Sequence, residues 1–377
     1  MNADEKRDGR WLPTADQAFG AMLAAIDTAH SSVRLESYIF QDSPLGERFR
    51  QALVTARGRG VRVRVLVDAL GSLELPDSFW QPLREAGGEF RWFNSFNLRR
   101  PSFRDHRKLL VCDETVAFVG GFNIAAEYEG DGVTQGWRDL GLKVTGTLAR
   151  ELATAFDDMF IRAEFRHRQV HRLRKTSAKK VAAAAEGELL LSGPGLGRNP
   201  IKRALHADLA TARSLQIMAA YFLPSWRIRR CLVRAARRGG KVRLMLSAKS
   251  DVMVAQLASH SLYGGLLRAG VEIYEYQPQT LHAKLIIVDG VTYVGSANLD
   301  TRSLNINYEL LVRLTQPEHA EQAGRIFAEA LTHCRRIDRA QWRKARTFWT
   351  KLKEHWAYFL LARIDPYLAR QQLHALR

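Results

Sequence analysis

The chain has 377 residues, 46% hydrophobic and 25% charged, and its 57 Lys and Arg against 39 Asp and Glu leave a formal charge of +18. This describes a packed protein of two domains or one bilobed unit and excludes a disordered chain, while the charge calls for an anionic partner, nucleic acid or an anionic membrane surface. Three widely spaced cysteines, Cys112, Cys231 and Cys334, without a CxxC pair exclude a disulfide framework and a cysteine-rich metal site, and they fit a reducing, cytoplasmic setting.

Residues 1–8 lack the apolar stretch of a secretory signal, and no run of about 18 apolar residues follows, so no spanning helix is predicted. Residues 33–40 read as a strand leading into a helical stretch. Residues 59–67 end a helix at glycine and begin an alternating strand, and 83–90 lead into a third. Residues 105–113 then carry His106, Lys108 and Asp113 in the pattern His-x-Lys-x4-Asp. His and Lys two apart on extended chain point the same way, and the apolar run behind them reads as a buried strand. Val119-Gly120-Gly121-Phe122-Asn123 follows a short turn; its glycines let backbone N–H groups approach an anion, and Asn123 adds an amide donor. Asp139 stands at the mouth of the next strand. Residues 162–187, basic from Arg166 to Lys180, read as an exposed connector, either a solvated linker or a phosphate-binding strip.

The chain then repeats itself. Residues 215–222 match 33–40, 238–246 match 59–67, and 267–273 match 83–90. Residues 281–289 restore the pattern with His282, Lys284 and Asp289, Val294-Gly295-Ser296-Ala297-Asn298 trails them, and Glu309 opens a strand where Asp139 did. The order of strands and helices implies an α/β protein of two pseudo-repeated lobes, each a mixed sheet flanked by helices, with the active site between them. The lobes are expected over 1–161 and 188–335, joined by the basic linker 162–187 and followed by a C-terminal segment, 336–377. One His-x-Lys is weak evidence, whereas the same spacing twice with the same Gly-x-x-Asn trailer is hard to dismiss. The duplicated acids Asp139 and Glu309 are read as groups that hold one ring nitrogen of an imidazole and so decide which nitrogen reacts. In the C-terminal segment Phe348, Leu352, Trp356, Phe359 and Leu360 fall on one helical face among Arg346, Lys351, Lys353 and Arg363. That pattern suits a lipid headgroup boundary, and it suits a helix docked on its own core equally well.

These motifs resemble the phospholipase D superfamily, whose signature is the duplicated His-x-Lys-x4-Asp, and within it the bacterial cardiolipin synthases of the short class without N-terminal membrane-spanning helices. The likeness covers most of the chain; residues 36–46, the triplet Trp137-Arg138-Asp139 and residues 298–304 add to it. It implies a ping-pong phosphatidyltransferase in which His106 forms a phosphohistidine and His282 serves as acid and base, converting phosphatidylglycerol to cardiolipin and glycerol. Lys108, Lys284, Asn123 and Asn298 would then stabilise charge on the phosphoryl oxygens. No metal and no cofactor is expected, since the sequence offers no HExxH and no clustered acids, and residues 193–197 lack the Gly-Lys-Ser/Thr ending of a P-loop. Asp113 and Asp289 belong to the signature but sit at strand-ending turns, and are read as supporting hydrogen-bond groups.

Two departures from the family pattern bear on the site. Gly121 stands where many members have a hydroxyl residue, so a phosphate-contacting hydroxyl is expected from Ser296 alone. Five residues separate Asp289 from Gly295 where six separate Asp113 from Gly120, which shortens the second hairpin and leaves the register of Ser296 open. The expected partners are an anionic phospholipid, phosphatidylglycerol, and the cytoplasmic face of the cell membrane, held peripherally. The alternatives are phospholipase D hydrolysis, transfer to another alcohol, and a nuclease of the same superfamily. Nucleic acid is disfavoured, because such nucleases are often single-motif chains that dimerise and this chain holds both halves. The acceptor alcohol and the oligomeric state are not legible in the sequence.

Overall fold

The computed structural model describes residues 9–95, 102–163, 181–184, 187–194, 198–364 and 367. In the first half, β1 (Gly9–Leu12), α1 (Ala15–Asp27), β2 (Ser32–Ser37), α2 (Pro44–Gly58), β3 (Arg62–Asp68), α3 (Gln81–Glu85), β4 (Glu89–Phe93), β5 (Leu109–Cys112), β6 (Val116–Gly120), β7 (Gly141–Thr145) and α4 (Gly146–Arg162) follow in order. The strands form one sheet, β1-β7-β6-β5-β2-β3-β4. β2, β3 and β4 run parallel, and β5, β6 and β7 are antiparallel. Local sequence explains these elements. Ser43 caps α2 by accepting from the Gly46 N–H, Pro44 occupies the first turn, and Leu45, Phe49, Leu53 and Ala56 bury one stripe. Along β3, Val63, Val65 and Val67 are buried on one face, while on the other Arg62 is exposed, Arg64 half-buried and Leu66 buried in the core between the sheets.

The second half runs β8 (Val181–Ala184), β9 (Gly187–Ser192), α5 (Pro200–Thr211), β10 (Ser214–Ala219), α6 (Trp226–Arg237), β11 (Lys241–Ser247), α7 (Met253–Arg268), β12 (Glu272–Tyr276), β13 (Leu285–Val288), β14 (Val291–Gly295), α8 (Thr301–Asn305), β15 (Glu309–Leu314), α9 (Pro317–Leu331), β16 (Cys334–Arg336), α10 (Arg339–Ala345) and α11 (Phe348–Phe359). Its sheet order is β16-β12-β11-β10-β13-β14-β15-β9-β8. The stretch β12-β11-β10-β13-β14-β15 repeats β4-β3-β2-β5-β6-β7, so the duplication read in the sequence is a duplication of topology.

The two sheets share one apolar core. Leu109 and Val111 of β5 and Leu285 and Ile287 of β13 meet there, with Leu152 and Phe156 of α4 and Phe327 of α9. Their neighbours Leu110 and Cys112 turn to the opposite face, under α1 and α2, and Ile286 and Val288 do the same in the second half. Both faces of the signature strands are therefore buried, which is why they read as unbroken apolar runs.

Two boundaries differ from the sequence expectation. The second sheet begins at Val181, inside the stretch expected to be linker, because the small side chains of β8 pair antiparallel with β9 as an edge strand, Val181 opposite Leu190. At the other end β16 spans the expected 335/336 boundary and pairs with β12. The basic residues Arg166 to Lys180 and the glycines 195 and 197 lie outside the described residues.

Candidate active site

Each histidine is carried on an extended segment entering a central strand, His106 before β5 and His282 before β13. Each segment is clasped by backbone from the other half. The His106 N–H donates to the Tyr308 carbonyl at 3.0 Å and the Tyr308 N–H to that of Arg104 at 2.9 Å; the His282 N–H donates to the Arg138 carbonyl at 2.7 Å and the Arg138 N–H to that of Thr280 at 2.8 Å. The residue after each clasping residue is the acid. Glu309 therefore reaches His106, with Nδ1 3.0 Å from Oε1 and 3.1 Å from Oε2, and Asp139 reaches His282, with Nδ1 2.6 Å from Oδ2. Both of these imidazole–carboxylate pairs thus cross between the halves. The residue between His and Lys faces elsewhere: Arg107 forms a buried pair with Glu36 at 2.7 Å, and Ala283 joins the shared core.

A carboxylate only accepts, so each imidazole presents Nδ1–H to its acid and keeps the Nε2 lone pair for chemistry. Burial lowers both histidines below the ordinary imidazole value, that of His282 to about 4, where the neighbouring Lys284 adds to the effect and Asp139 opposes it. Both shifts favour the neutral imidazole. Burial also lowers the two lysines, Lys108 to about 7 and Lys284 to about 8, against the pull of Glu309 and Asp139. Lys108 Nζ donates to the His106 carbonyl at 2.7 Å and Lys284 Nζ to the His282 carbonyl at 2.5 Å, the latter also lying 2.9 Å from Nδ1 and 3.1 Å from Nε2 of His282. Lys284 also pushes Lys108 down, since two like charges held out of water repel.

His106, His282, Asn123 and Asn298 line one cavity of about 440 Å³. Asn123 is committed within the protein, accepting from the Ile39 N–H at 3.0 Å and donating to Tyr128 Oη at 2.7 Å. Asn298 keeps a buried Oδ1 without a protein partner. Ser296, Lys108 and Lys284 are not among the residues lining this cavity; the Ser296 hydroxyl is fully buried, donates to Glu309 and accepts from the Leu310 N–H at 3.0 Å. Gly121 is its counterpart, and a Cβ there would overlap the Asp139 carboxylate. Both positions seat the acid, one by a hydroxyl and one by leaving room. The shorter second hairpin does not disturb that correspondence. Leu109 pairs with Val119 and Leu285 with Val294, and the extra residue of the first hairpin is absorbed in its turn, where Asp113 and Glu114 take φ of 54° and 56°.

Asp113 and Asp289 stand in those turns, outside the cavity. Asp113 accepts the N–H groups of His30, Ser31 and Ser32 at 2.8–2.9 Å, which hold its carboxyl below the usual range, and Asp289 accepts those of Arg213 and Ser214. Each ties its hairpin to the start of the adjacent parallel strand. Among the described residues, no group of three or more His, Cys, Asp or Glu is placed to hold a metal ion.

Several cavity residues carried no signal in the motif. Tyr38 meets His106 edge-on at 4.8 Å between ring centroids, Tyr128 meets His282 at 5.2 Å, and Tyr128 Oη lies 3.4 Å from both nitrogens of His282. Tyr221, its ring centroid 6.5 Å from that of His282, donates to Asp251, and burial pushes Asp300 up to about 6. Asp300 and Arg302 belong to the stretch 298–304 that the family resemblance marks; Tyr128 had no such marker, because it reaches the site through a short 3-10 turn, Ala126–Tyr128, specific to the first half.

The family model for the cardiolipin synthase, PLD-like domain, matches residues 22–160 and 205–331, one segment for each half and one His-x-Lys in each. Cardiolipin synthase 1 of Bacillus cereus is 32% identical over 354 residues, covering 89% of this chain and 68% of that protein. The cardiolipin synthase of Geobacillus kaustophilus is 33% identical over 353 residues (91% and 70%), and the major cardiolipin synthase ClsA of Bacillus subtilis 32% over 343 (89% and 71%). Among solved structures, phosphatidylserine synthase from Haemophilus influenzae superimposes with a TM-score of 0.75 over 98% of this chain and 96% of that one, at 14% identity, which establishes the shared fold. Polyphosphate kinase from Porphyromonas gingivalis superimposes at 0.58 over 88% of this chain and 49% of that one, again at 14% identity. With both halves matched and one His-x-Lys motif in each, this chain belongs to the cardiolipin synthase family of phospholipase D-like proteins.

Proposed function

We propose that the chain is a phosphatidyltransferase that joins two phosphatidylglycerol molecules into cardiolipin and releases glycerol. The observation that carries this reading is the pair of neutral imidazoles, each oriented by an acid of the opposite half, facing one cavity with two buried lysines behind them. Nε2 of His106 attacks phosphorus, a P–N bond forms, and the P–O bond to the glycerol headgroup breaks. His282, protonated once the phosphodiester anion sits beside it, gives its Nε2 proton to the departing oxygen. Glycerol leaves. The hydroxyl of a second phosphatidylglycerol then passes its proton to His282, its oxygen attacks phosphorus, and the P–N bond breaks to free His106. Lys108 and Lys284 carry the charge that builds on the phosphoryl oxygens, and Glu309 and Asp139 stabilise the positive imidazoles at each stage.

Water in place of the second lipid would give phosphatidic acid, and another alcohol would give its phosphatidyl ester, so the acceptor decides the product. The reading includes peripheral attachment at the cytoplasmic face of the cell membrane; no helix among the described residues is long and apolar enough to cross a membrane. The test is to incubate purified protein with phosphatidylglycerol vesicles, without and with added alcohols, and identify the lipids and the released headgroup. Cardiolipin with equimolar glycerol is expected. Phosphatidic acid alone would make the protein a hydrolase, and cleavage of DNA or RNA with no lipid product would make it a nuclease.

A further inference from the structure

Among the described residues, the C-terminal helix is the one long element that leaves most of its apolar face uncovered. α11 packs along the length of α7, burying Glu354 and Ala357 and partly burying Tyr358, with Leu361 just beyond, against Leu223, Leu257 and Ala258. Its Phe348, Trp349, Trp356 and Phe359 side chains are 72%, 68%, 58% and 49% exposed, and Leu352, Leu360 and Ile364 are exposed beside them. The two helices run antiparallel, Arg346 lying near Gly264, Ala357 near Ala258, and Leu361 near Val252. The C-terminal end of α11 therefore meets the N-terminal tip of α7, where Val252, Met253 and Val254 are exposed in turn, Met253 by 72%. Val252 and Leu361 line the cavity that holds His106 and His282. The apolar side chains of these two segments, about a hundred residues apart, thus reach the cavity lining through Val252 and Leu361.

Charge specifies what covers it. Between Arg339 and Ile364 the single acid is Glu354, and it is buried in an ion pair with Arg346. Arg339, Arg343, Lys344, Lys351, Lys353 and Arg363 are exposed, so every exposed charge on this segment is positive. At the α7 tip the neighbouring acid is Asp251, and its carboxylate accepts from Tyr221 Oη at 2.6 and 2.7 Å. Exposed Trp and Phe among cations match the headgroup layer of an anionic bilayer, where aromatic rings sit at the boundary and each cation is held by the surface potential.

We infer that α11, the turn after it and the α7 tip form a membrane-docking face that presents the cavity mouth to an anionic phospholipid surface, so that a lipid reaches the histidines by sliding along the interface. The inference rests on the lipid substrate proposed above and adds the route by which it enters. Two variants test it, Met253→Ser with Val254→Ser, and Trp356→Ser with Phe359→Ser. All four side chains are exposed, so little packing is lost, and far-UV circular dichroism and the melting temperature should match the parent. Each variant should bind phosphatidylglycerol vesicles about tenfold or more weaker in co-sedimentation, and turnover on those vesicles should fall in parallel. Turnover of dihexanoyl phosphatidylglycerol, dissolved as monomers, should be unchanged. Equal vesicle binding by parent and variants would overturn the inference, as would equal loss of turnover on both forms of substrate. Lipid-free dimers of the parent that the variants lose, read by light scattering, would assign the face to a second copy and also overturn it. A parent that docks through these residues yet makes no new lipid from either form would leave the docking face standing and remove the proposed reaction.

Discussion

Asp139 and Glu309 each meet the motif histidine of the other half, so neither half by itself pairs its His-x-Lys histidine with an acid. Replacing His106 or His282 by Ala should lower turnover by about 10³-fold or more, since nucleophile and acid work as a unit. With phosphatidylglycerol labelled at phosphorus, label should accumulate on His106 in the His282→Ala protein; label confined to His282 in the parent would reverse the two roles. The lysines make a separate prediction. In the empty site Lys108 titrates at about 7 and Lys284 at about 8. A bound phosphodiester stabilises the charged form of each and raises its pKa, so protons are taken up on binding at pH values between the free and bound pKa values. Affinity should then fall as pH rises above about 7, by about tenfold per unit for each lysine that has lost its proton. Glycerophosphoglycerol, a monoanion throughout, is a suitable ligand, and calorimetry in buffers of different ionisation enthalpy would count the protons. Affinity that does not change between about pH 7 and 9 would mean that the lysines are already charged in the empty site.

The β-hairpins β5–β6 and β13–β14 seat the acids through Gly121 and Ser296, each one residue beyond its second strand, and not through the aspartates at their tips. Gly121→Ala puts a methyl group against the Asp139 carboxylate and should displace it, lowering kcat by about 10–100-fold, while Ser296→Ala removes a donor from Glu309 and should lower kcat by about tenfold. Folding should survive both changes, which the melting temperature would show. Asp289→Ala should act in the opposite sense. Losing the acceptor of the Arg213 and Ser214 N–H groups should cost about 1–3 kcal/mol of stability and leave kcat per folded molecule near the parent value. An Asp289→Ala protein of normal stability and abolished turnover would return this residue to the chemistry.

Across the full chain, α4 and α9 lie in an apolar core that both sheets share, and the histidine segments are clasped across the halves by the bonds of Tyr308 and Arg138. The halves should therefore unfold together, giving one calorimetric transition with equal van't Hoff and calorimetric enthalpies; two resolved transitions would show that the shared core does not couple them. Charge stabilisation by Lys108 and Lys284 further predicts that turnover of monomeric dihexanoyl phosphatidylglycerol persists in excess EDTA. Loss of activity restored only by a divalent ion would assign part of that work to a metal.

The duplicated α/β halves were legible in the sequence, because a strand buried on both faces must be written as an unbroken apolar run, and two such runs each followed a His-x-Lys. Both histidines, both lysines and the two downstream acids stood out as well, since a repeated spacing is a local property that survives without coordinates. Which acid meets which histidine could not be read there. The nearest acid along the chain belongs to the same half, and only the packing of one sheet against the other carries Asp139 to His282 and Glu309 to His106. The place of Ser296 was hidden for the same reason: a hydroxyl near a phosphate motif and a hydroxyl behind a carboxylate look alike until the direction of the side chain is known. The amphipathic pattern from Phe348 onward was also plain, but an apolar stripe looks the same whether it faces a core or a solvent-exposed surface. Packing separated the two sides of the helix, because α7 covers Ala357 and Tyr358 of α11 and leaves Phe348, Trp349, Trp356 and Phe359 exposed.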